Sequence, residues 1–91
     1  MIKTTFFLAI VSPGHTMLSR TIEIPFRVSA GDEVAINDDC WLSIVASVRF
    51  NLVTLALEAN LTDYEANSEA TREELKAELT SLGWKIDFVT A

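Results

Sequence analysis

The chain has few of the residues on which disulfide frameworks, metal centres and flexible linkers depend. Its 91 residues include one cysteine, one histidine, three glycines and two prolines. A single cysteine cannot form an internal disulfide, which fits a reducing compartment. Because glycine and proline are scarce and 49% of the residues are hydrophobic, the chain is neither collagen-like nor disordered. Length and composition therefore predict a single globular domain over residues 1–91.

The sequence also lacks a long hydrophobic run. The longest unbroken apolar stretch, residues 6–11, is far shorter than the roughly 20 residues that cross a bilayer as a helix. This stretch is short for the core of a signal peptide, and no small-residue cleavage site follows it. We therefore expect a cytoplasmic location rather than export.

Positive charge is sparse, and negative charge is concentrated in the C-terminal part. Seven Lys and Arg stand against thirteen Asp and Glu, which gives a formal net charge of −6. Most of the acids lie in residues 51–91. Nucleic acid and anionic membranes bind clustered Lys and Arg, so we expect neither as a partner. We interpret the acidity as a solvated helix face that keeps an apolar protein in solution.

Alternating apolar residues dominate residues 1–60 and predict strands. The first, residues 4–12, is apolar on both faces. The second, residues 18–28, contains Pro25, which marks an edge or a bulge. A short third strand is predicted at residues 33–36 and a fifth strand at residues 52–59. The fourth strand lies between them in the sequence, and one of its faces is expected to hold Leu42, Ile44, Ala46 and Val48. Residues 49–51 carry no strong turn signal, so a tight hairpin and one long bent strand are both open there.

A helix and one more strand follow. Ser68 or the capping box Thr71-x-x-Glu74 begins the helix, a stripe of leucines at helical spacing follows, and Gly83 ends it. The order predicts an α+β fold. Its parts are a strongly twisted, mostly antiparallel β-meander or small open barrel of about five strands (1–60), a C-terminal α-helix (68–83) and a short final strand (84–89).

Acidic residues cluster in two predicted turns. Asp32 and Glu33 lie in the first turn, and Asp38 and Asp39 lie in the second, within the segment INDDCW. Short polar side chains are favoured in turns because they bond to the local backbone. The alternative is a metal loop, but the spacing matches neither a calcium loop nor a zinc site. We therefore predict no metal and no cofactor.

Catalytic motifs are also scarce. The sequence contains no glycine-rich phosphate loop, no nucleophile elbow and no zinc-protease motif. A thiol nucleophile would require His15 and Cys40 to meet from separate turns. We therefore expect that the protein is not an enzyme.

The sheet has more apolar surface than one helix can cover. The face that bears Phe7, Ala9 and Val11 must close into a barrel, contact another chain, or line a cavity rimmed by Trp41 or Trp84. The sequence predicts a non-catalytic interaction module, which forms a homodimer or belongs to a protein assembly. The alternative is a small-molecule-binding protein or minor enzyme with an apolar cavity between sheet and helix. Acidic turns would rim that cavity, which would take a small apolar or cationic ligand.

Overall fold

A single open sheet with a helix on one face forms the structure. The computed structural model describes residues 1–37 and 41–90, which contain seven strands and one helix. The elements are β1 (Ile2–Val11), β2 (His15–Ile24), β3 (Glu33–Ala35), β4 (Leu42–Asn51), β5 (Ala56–Leu61), β6 (Tyr64–Glu65), α1 (Glu69–Ser81) and β7 (Lys85–Thr90). The strand order is β3-β4-β5-β1-β2-β7, with β6 pairing to β1. The predicted α+β, mostly antiparallel fold is confirmed, and the sheet does not close into a barrel.

The first two strands form a long antiparallel hairpin at the centre of the sheet. All ten residues of β1 pair with β2, and Leu8 lies opposite Leu18. Both leucines are fully buried. Alternation then places Phe6 and Ile10 on the same buried face, because neighbouring side chains of a strand point to opposite sides of the sheet.

The sheet departs from a simple meander because β5 pairs not only with β4, the strand before it, but also with β1. It is antiparallel to β4 and parallel to β1, with Thr4 opposite Leu57 and Phe7 opposite Asn60. The short strand β6 continues this parallel pairing along β1. The first strand of the chain therefore becomes a central strand with neighbours on both sides, and this accounts for its apolar composition.

The fifth strand begins later than predicted. We expected it from residue 52, but residues 52–55 form the turn of the β4–β5 hairpin, and β5 begins at Ala56. The side-chain oxygen of Asn51 accepts hydrogen bonds from the backbone N–H groups of Val53 (2.8 Å) and Thr54 (3.2 Å). This asparagine closes the turn locally, so the apolar residues that follow it do not extend the strand.

The predicted facing of β4 is wrong for its first half. Leu42 and Ile44 are exposed, whereas Ser43 and Val45 are buried. The pairing of β4 with β5 shifts register between Val45 and Ser47. Such a bulge adds one residue to a strand and exchanges its two faces, so one alternation cannot describe both halves.

The helix begins and ends close to the predicted residues. Ser68 is its N-cap, and the Oγ of Ser68 accepts a hydrogen bond from the backbone N–H of Thr71 at 3.1 Å. Leu79 is completely buried in the core, with Leu75 and Leu82 packed partly against it. Gly83, with a φ of 98°, turns the chain into β7. The final strand occupies Lys85–Thr90 and pairs antiparallel with β2 along one edge of the sheet.

Candidate functional site

The sheet face opposite the helix carries a group of apolar side chains at one end. Register places Ala9 opposite Met17, and Met17 opposite Phe88. Phe7 and Val11 lie on the same face of β1 as Ala9. We call these five residues the apolar patch. Ala9 is buried, three members are half-buried, and Phe88 is 50% exposed.

Sequence reasoning identified three of the five members of the patch. Phe7, Ala9 and Val11 could be read from alternation along one strand. Met17 and Phe88 were missed, because they join the patch only through the pairing of β1 with β2 and of β2 with β7. The alternation of Phe88 with charged neighbours was a visible signal, but it did not reveal which strand lay beside it.

The other end of this face is polar. The Oγ1 atoms of Thr5 and Thr21 are hydrogen-bonded across the β1–β2 pair at 2.8 Å. The buried carboxylate of Glu58 accepts hydrogen bonds from Arg49 Nε at 2.7 Å and Asn51 Nδ2 at 3.0 Å. These hydrogen bonds lower the pKa of Glu58 below its usual value, and the bond from Arg49 has the largest effect. The helix-free face is thus divided into an apolar patch and a satisfied polar network.

On the helix side of the sheet lies a cavity of about 420 Å³. Its walls are mostly apolar and come from β1, β2, the β2–β3 connection and β3, including Phe6, Ile22, Ile24, Val28 and Ile36. This location differs from the predicted one between sheet and helix. Among the described residues α1 contributes no lining side chain, and Trp84, just after the helix, closes that end.

Two polar side chains in the cavity wall have no hydrogen-bond partner among the described residues. Trp84 is 7% exposed, and its buried Nε1 has no hydrogen-bond acceptor among the described residues. Arg20 lies opposite Phe6 in the β1–β2 register and is half-buried. Within the part of the chain that the structure describes, its guanidinium makes no hydrogen bond or ion pair. Arg20 was not singled out from the sequence, because an arginine in a strand normally faces solvent.

The remaining predicted site residues are dispersed. Asp32 and Glu33 are exposed and lie at the edge of the cavity, and the Oδ2 of Asp32 accepts a hydrogen bond from the backbone N–H of Ser29. Trp41 does not line this cavity, although its backbone carbonyl accepts a hydrogen bond from the lining residue Ile36, and its ring packs against Tyr64 with ring centroids 4.8 Å apart. Asp38, Asp39 and Cys40 lie outside the described residues, so the His15–Cys40 pair and the four-carboxylate cluster stay untested hypotheses. Residues 1–37 and 41–90 contain no group of three or more potential metal ligands.

An exposed apolar turn is a further feature that the sequence did not predict. In the β4–β5 turn Leu52 is 81% exposed and Val53 is 92% exposed, and Leu55 is also exposed. The sequence suggested a strand here because three apolar residues alternate with others. The turn-forming side chain of Asn51 was the signal against that interpretation.

Comparison with known proteins gives no match. No family model matches the chain, and no curated protein or solved structure is significantly similar to it. Its function is therefore inferred from the geometry. Among the residues that the structure describes, no helix has both the length and the apolar composition needed to cross a membrane.

Proposed function

We propose that this chain is a non-catalytic interaction module that forms a homodimer through the apolar patch. The observation that carries the proposal is the composition of the helix-free face, where Phe7 and Val11 on a central strand are half-buried and no described helix or strand packs over them. Contiguous exposed apolar surface on a soluble protein commonly marks an interface. A second copy provides the same patch, and two-fold packing would bury both at once.

The distribution of charge favours a second copy over an unrelated basic partner. Helix α1 carries four glutamates, two cations and a net charge of −2 out of −6. The helix packs on the other side of the sheet, so these acids lie away from the patch. Beside the patch, Asp87 is paired with Lys85 at 3.6 Å. Glu65 lies in register with Val11 at one end of the patch, and the middle of the patch, around Ala9 and Met17, can approach a second copy face to face at the usual sheet spacing of about 10 Å.

The edge strand β7 supports the same assignment. All six residues of β7 are exposed, and three of them are the apolar residues Ile86, Phe88 and Val89. An exposed edge of this kind is prone to unwanted pairing unless something covers it. Because Phe88 belongs to the apolar patch, a dimer packed through the patch would shield this edge on one side.

A non-catalytic role is also supported by the electrostatics. Among the residues that the structure describes, the carboxylates with shifted pKa values are Glu58 and Glu73, and both pKa values are lowered chiefly by hydrogen bonds from neighbouring cations, Arg49 and Lys76 respectively. A general acid at neutral pH needs the opposite shift. We propose a cytoplasmic location on the basis of the single cysteine. If the chain belongs to a larger protein assembly, we propose that it binds its partner through the same apolar patch.

Sedimentation velocity over a wide concentration range tests the proposal. We expect concentration-dependent dimers for the native chain, and monomers for Phe7→Glu and Val11→Glu, because each change buries a charge in the interface. Leu52→Glu is the matched control, since it adds the same charge to an exposed leucine in the β4–β5 turn. Circular dichroism verifies that each variant folds.

Two results would reject the dimer. The first is a native chain that stays monomeric at the highest concentration. The second is a pattern in which Leu52→Glu dissociates the dimer while Phe7→Glu does not, which would place the contact at the β4–β5 turn instead.

A further inference from the structure

One charged side chain in the cavity wall lacks a partner among the described residues. Arg20 is half-buried, and its guanidinium makes no hydrogen bond or ion pair with the part of the chain that the structure describes. Removing a charge from water is costly unless the charge is paired, and the walls of this cavity are mostly apolar. A bound anion would supply the missing partner.

We propose that this cavity binds a small amphiphile with a carboxylate at one end. The apolar body would lie against Phe6, Ile22 and Ile24, and the carboxylate would accept hydrogen bonds from Arg20, with Trp84 in the wall nearby. The planar guanidinium matches a carboxylate in geometry and forms two parallel hydrogen bonds with it. The proposal is independent of dimer formation, because the cavity and the apolar patch lie on opposite faces of the sheet.

Charge in the cavity favours an anion over a cation. A cationic ligand would leave the Arg20 guanidinium without an acceptor and place a like charge beside it. The acids Asp32 and Glu33 are exposed at the cavity edge, where water solvates them, and Asp32 already accepts a hydrogen bond from Ser29. The acidic turn therefore shapes the entrance, while the half-buried arginine selects the charge of the ligand.

The size of the cavity sets the scale of the ligand. A volume of about 420 Å³ lies near the lower end of the range of roughly 300–1,000 Å³ that is typical of small-molecule sites. The mostly apolar walls suit a medium-length alkyl chain or a small aromatic body. Decanoate is therefore a suitable probe, and decanol and decylammonium carry the same chain with a neutral and a cationic head.

Nuclear magnetic resonance of the isotope-labelled full chain tests the proposal directly. The two tryptophans, Trp41 and Trp84, give two indole N–H signals, which spectra of Trp41→Phe and Trp84→Phe assign. With decanoate below its micelle concentration, we expect the Trp84 signal to shift and saturate. The Trp41 signal is an internal control, because Trp41 does not line the cavity. Decanol should bind more weakly, and decylammonium should bind more weakly still.

Substitution of Arg20 tests which group recognises the anion. Arg20→Met should weaken decanoate binding by roughly ten- to hundred-fold and leave decanol binding nearly unchanged, since only the charge-assisted hydrogen bonds are lost. Arg20→Lys should recover part of the affinity. If Arg20→Met does not fold, the comparison of the three head groups on the native chain decides the question.

Three outcomes would overturn the proposal. They are no response of the Trp84 signal to decanoate, equal affinity for decanoate and decanol, and tighter binding of decylammonium. Repeating the titration on the Phe7→Glu variant separates the two proposals. Binding that persists in a monomeric variant supports the cavity whatever the oligomeric state.

Discussion

Replacing Glu58 with glutamine should destabilise the fold by an amount that depends on pH. The carboxylate of Glu58 is 8% exposed and accepts hydrogen bonds from Arg49 and Asn51, whereas the Arg49 side chain is 74% exposed. Hydrogen bonds to charged groups contribute about 1.5–3 kcal/mol each to stability. Water competes for the exposed guanidinium, and glutamine keeps one acceptor atom. We therefore expect a loss of about 1–2 kcal/mol at neutral pH.

The pH dependence follows from the direction of the pKa shift. In the folded protein the pKa of Glu58 lies below its usual value of 4.5, chiefly because Arg49 donates a hydrogen bond to the carboxylate. The stabilisation is therefore complete above about pH 4.5, and it is lost as the pH falls through the folded-state pKa. The difference in unfolding free energy between the native chain and Glu58→Gln should shrink over this acidic range.

Urea unfolding at a series of pH values and one fixed protein concentration measures this difference. With a slope of about 1–2 kcal/mol per molar urea, the expected loss lowers the midpoint by about 1 M at neutral pH. Glu74→Gln is the control, because Glu74 is exposed on α1 and its loss should change the unfolding free energy by less than about 0.5 kcal/mol. Equal midpoints for the native chain and Glu58→Gln at neutral pH, or a difference that grows in acid, would refute the reasoning.

Three further substitutions test the core, the β4–β5 turn and the helix cap. Leu8→Ala removes a fully buried side chain and should lower the unfolding free energy by about 2–5 kcal/mol in urea titrations; a change below about 1 kcal/mol would contradict the packing. Leu55→Gly should raise the midpoint of thermal unfolding, because a φ of 57° strains a leucine by about 1–2 kcal/mol and the exposed side chain contributes little to stability. A lower midpoint would contradict this. Ser68→Ala should reduce stability by about 1 kcal/mol, as measured by circular dichroism on heating, and Ser68→Gly by only a few tenths.

The parts of the fold that sequence predicted correctly depend on residues close together in the chain. The helix bounds follow from Ser68 at one end and Gly83 at the other, and the β1–β2 hairpin follows from two alternating runs around one turn. The bounds of the second strand were wrong, because β2 spans His15–Ile24 rather than residues 18–28, ends before Pro25 and is not an edge strand. A cap satisfies orphan backbone groups within its own turn, so it can be read without knowledge of the rest of the fold. The class of fold was predictable for the same reason.

The errors arise where distant residues decide the outcome. The faces of β4 exchange at the register shift after Val45, which depends on pairing with β5. Likewise, the apolar residues from Leu52 to Leu55 read as a strand, although the side chain of Asn51 closes a turn around them. Alternation specifies that a strand has two faces, but the partner strand determines which face is covered.

The sequence by itself indicated that one helix would cover one face of the sheet and that Phe7 and Val11 would lie on the other face. Only the tertiary structure showed that β5 runs parallel to β1 and that Phe88 belongs to the apolar patch. It also showed that Arg20 and Trp84 line the same cavity. The physical reason is the range of the interactions. Periodicity and capping act within a few residues, whereas strand order and cavity walls bring together segments that are far apart in the chain.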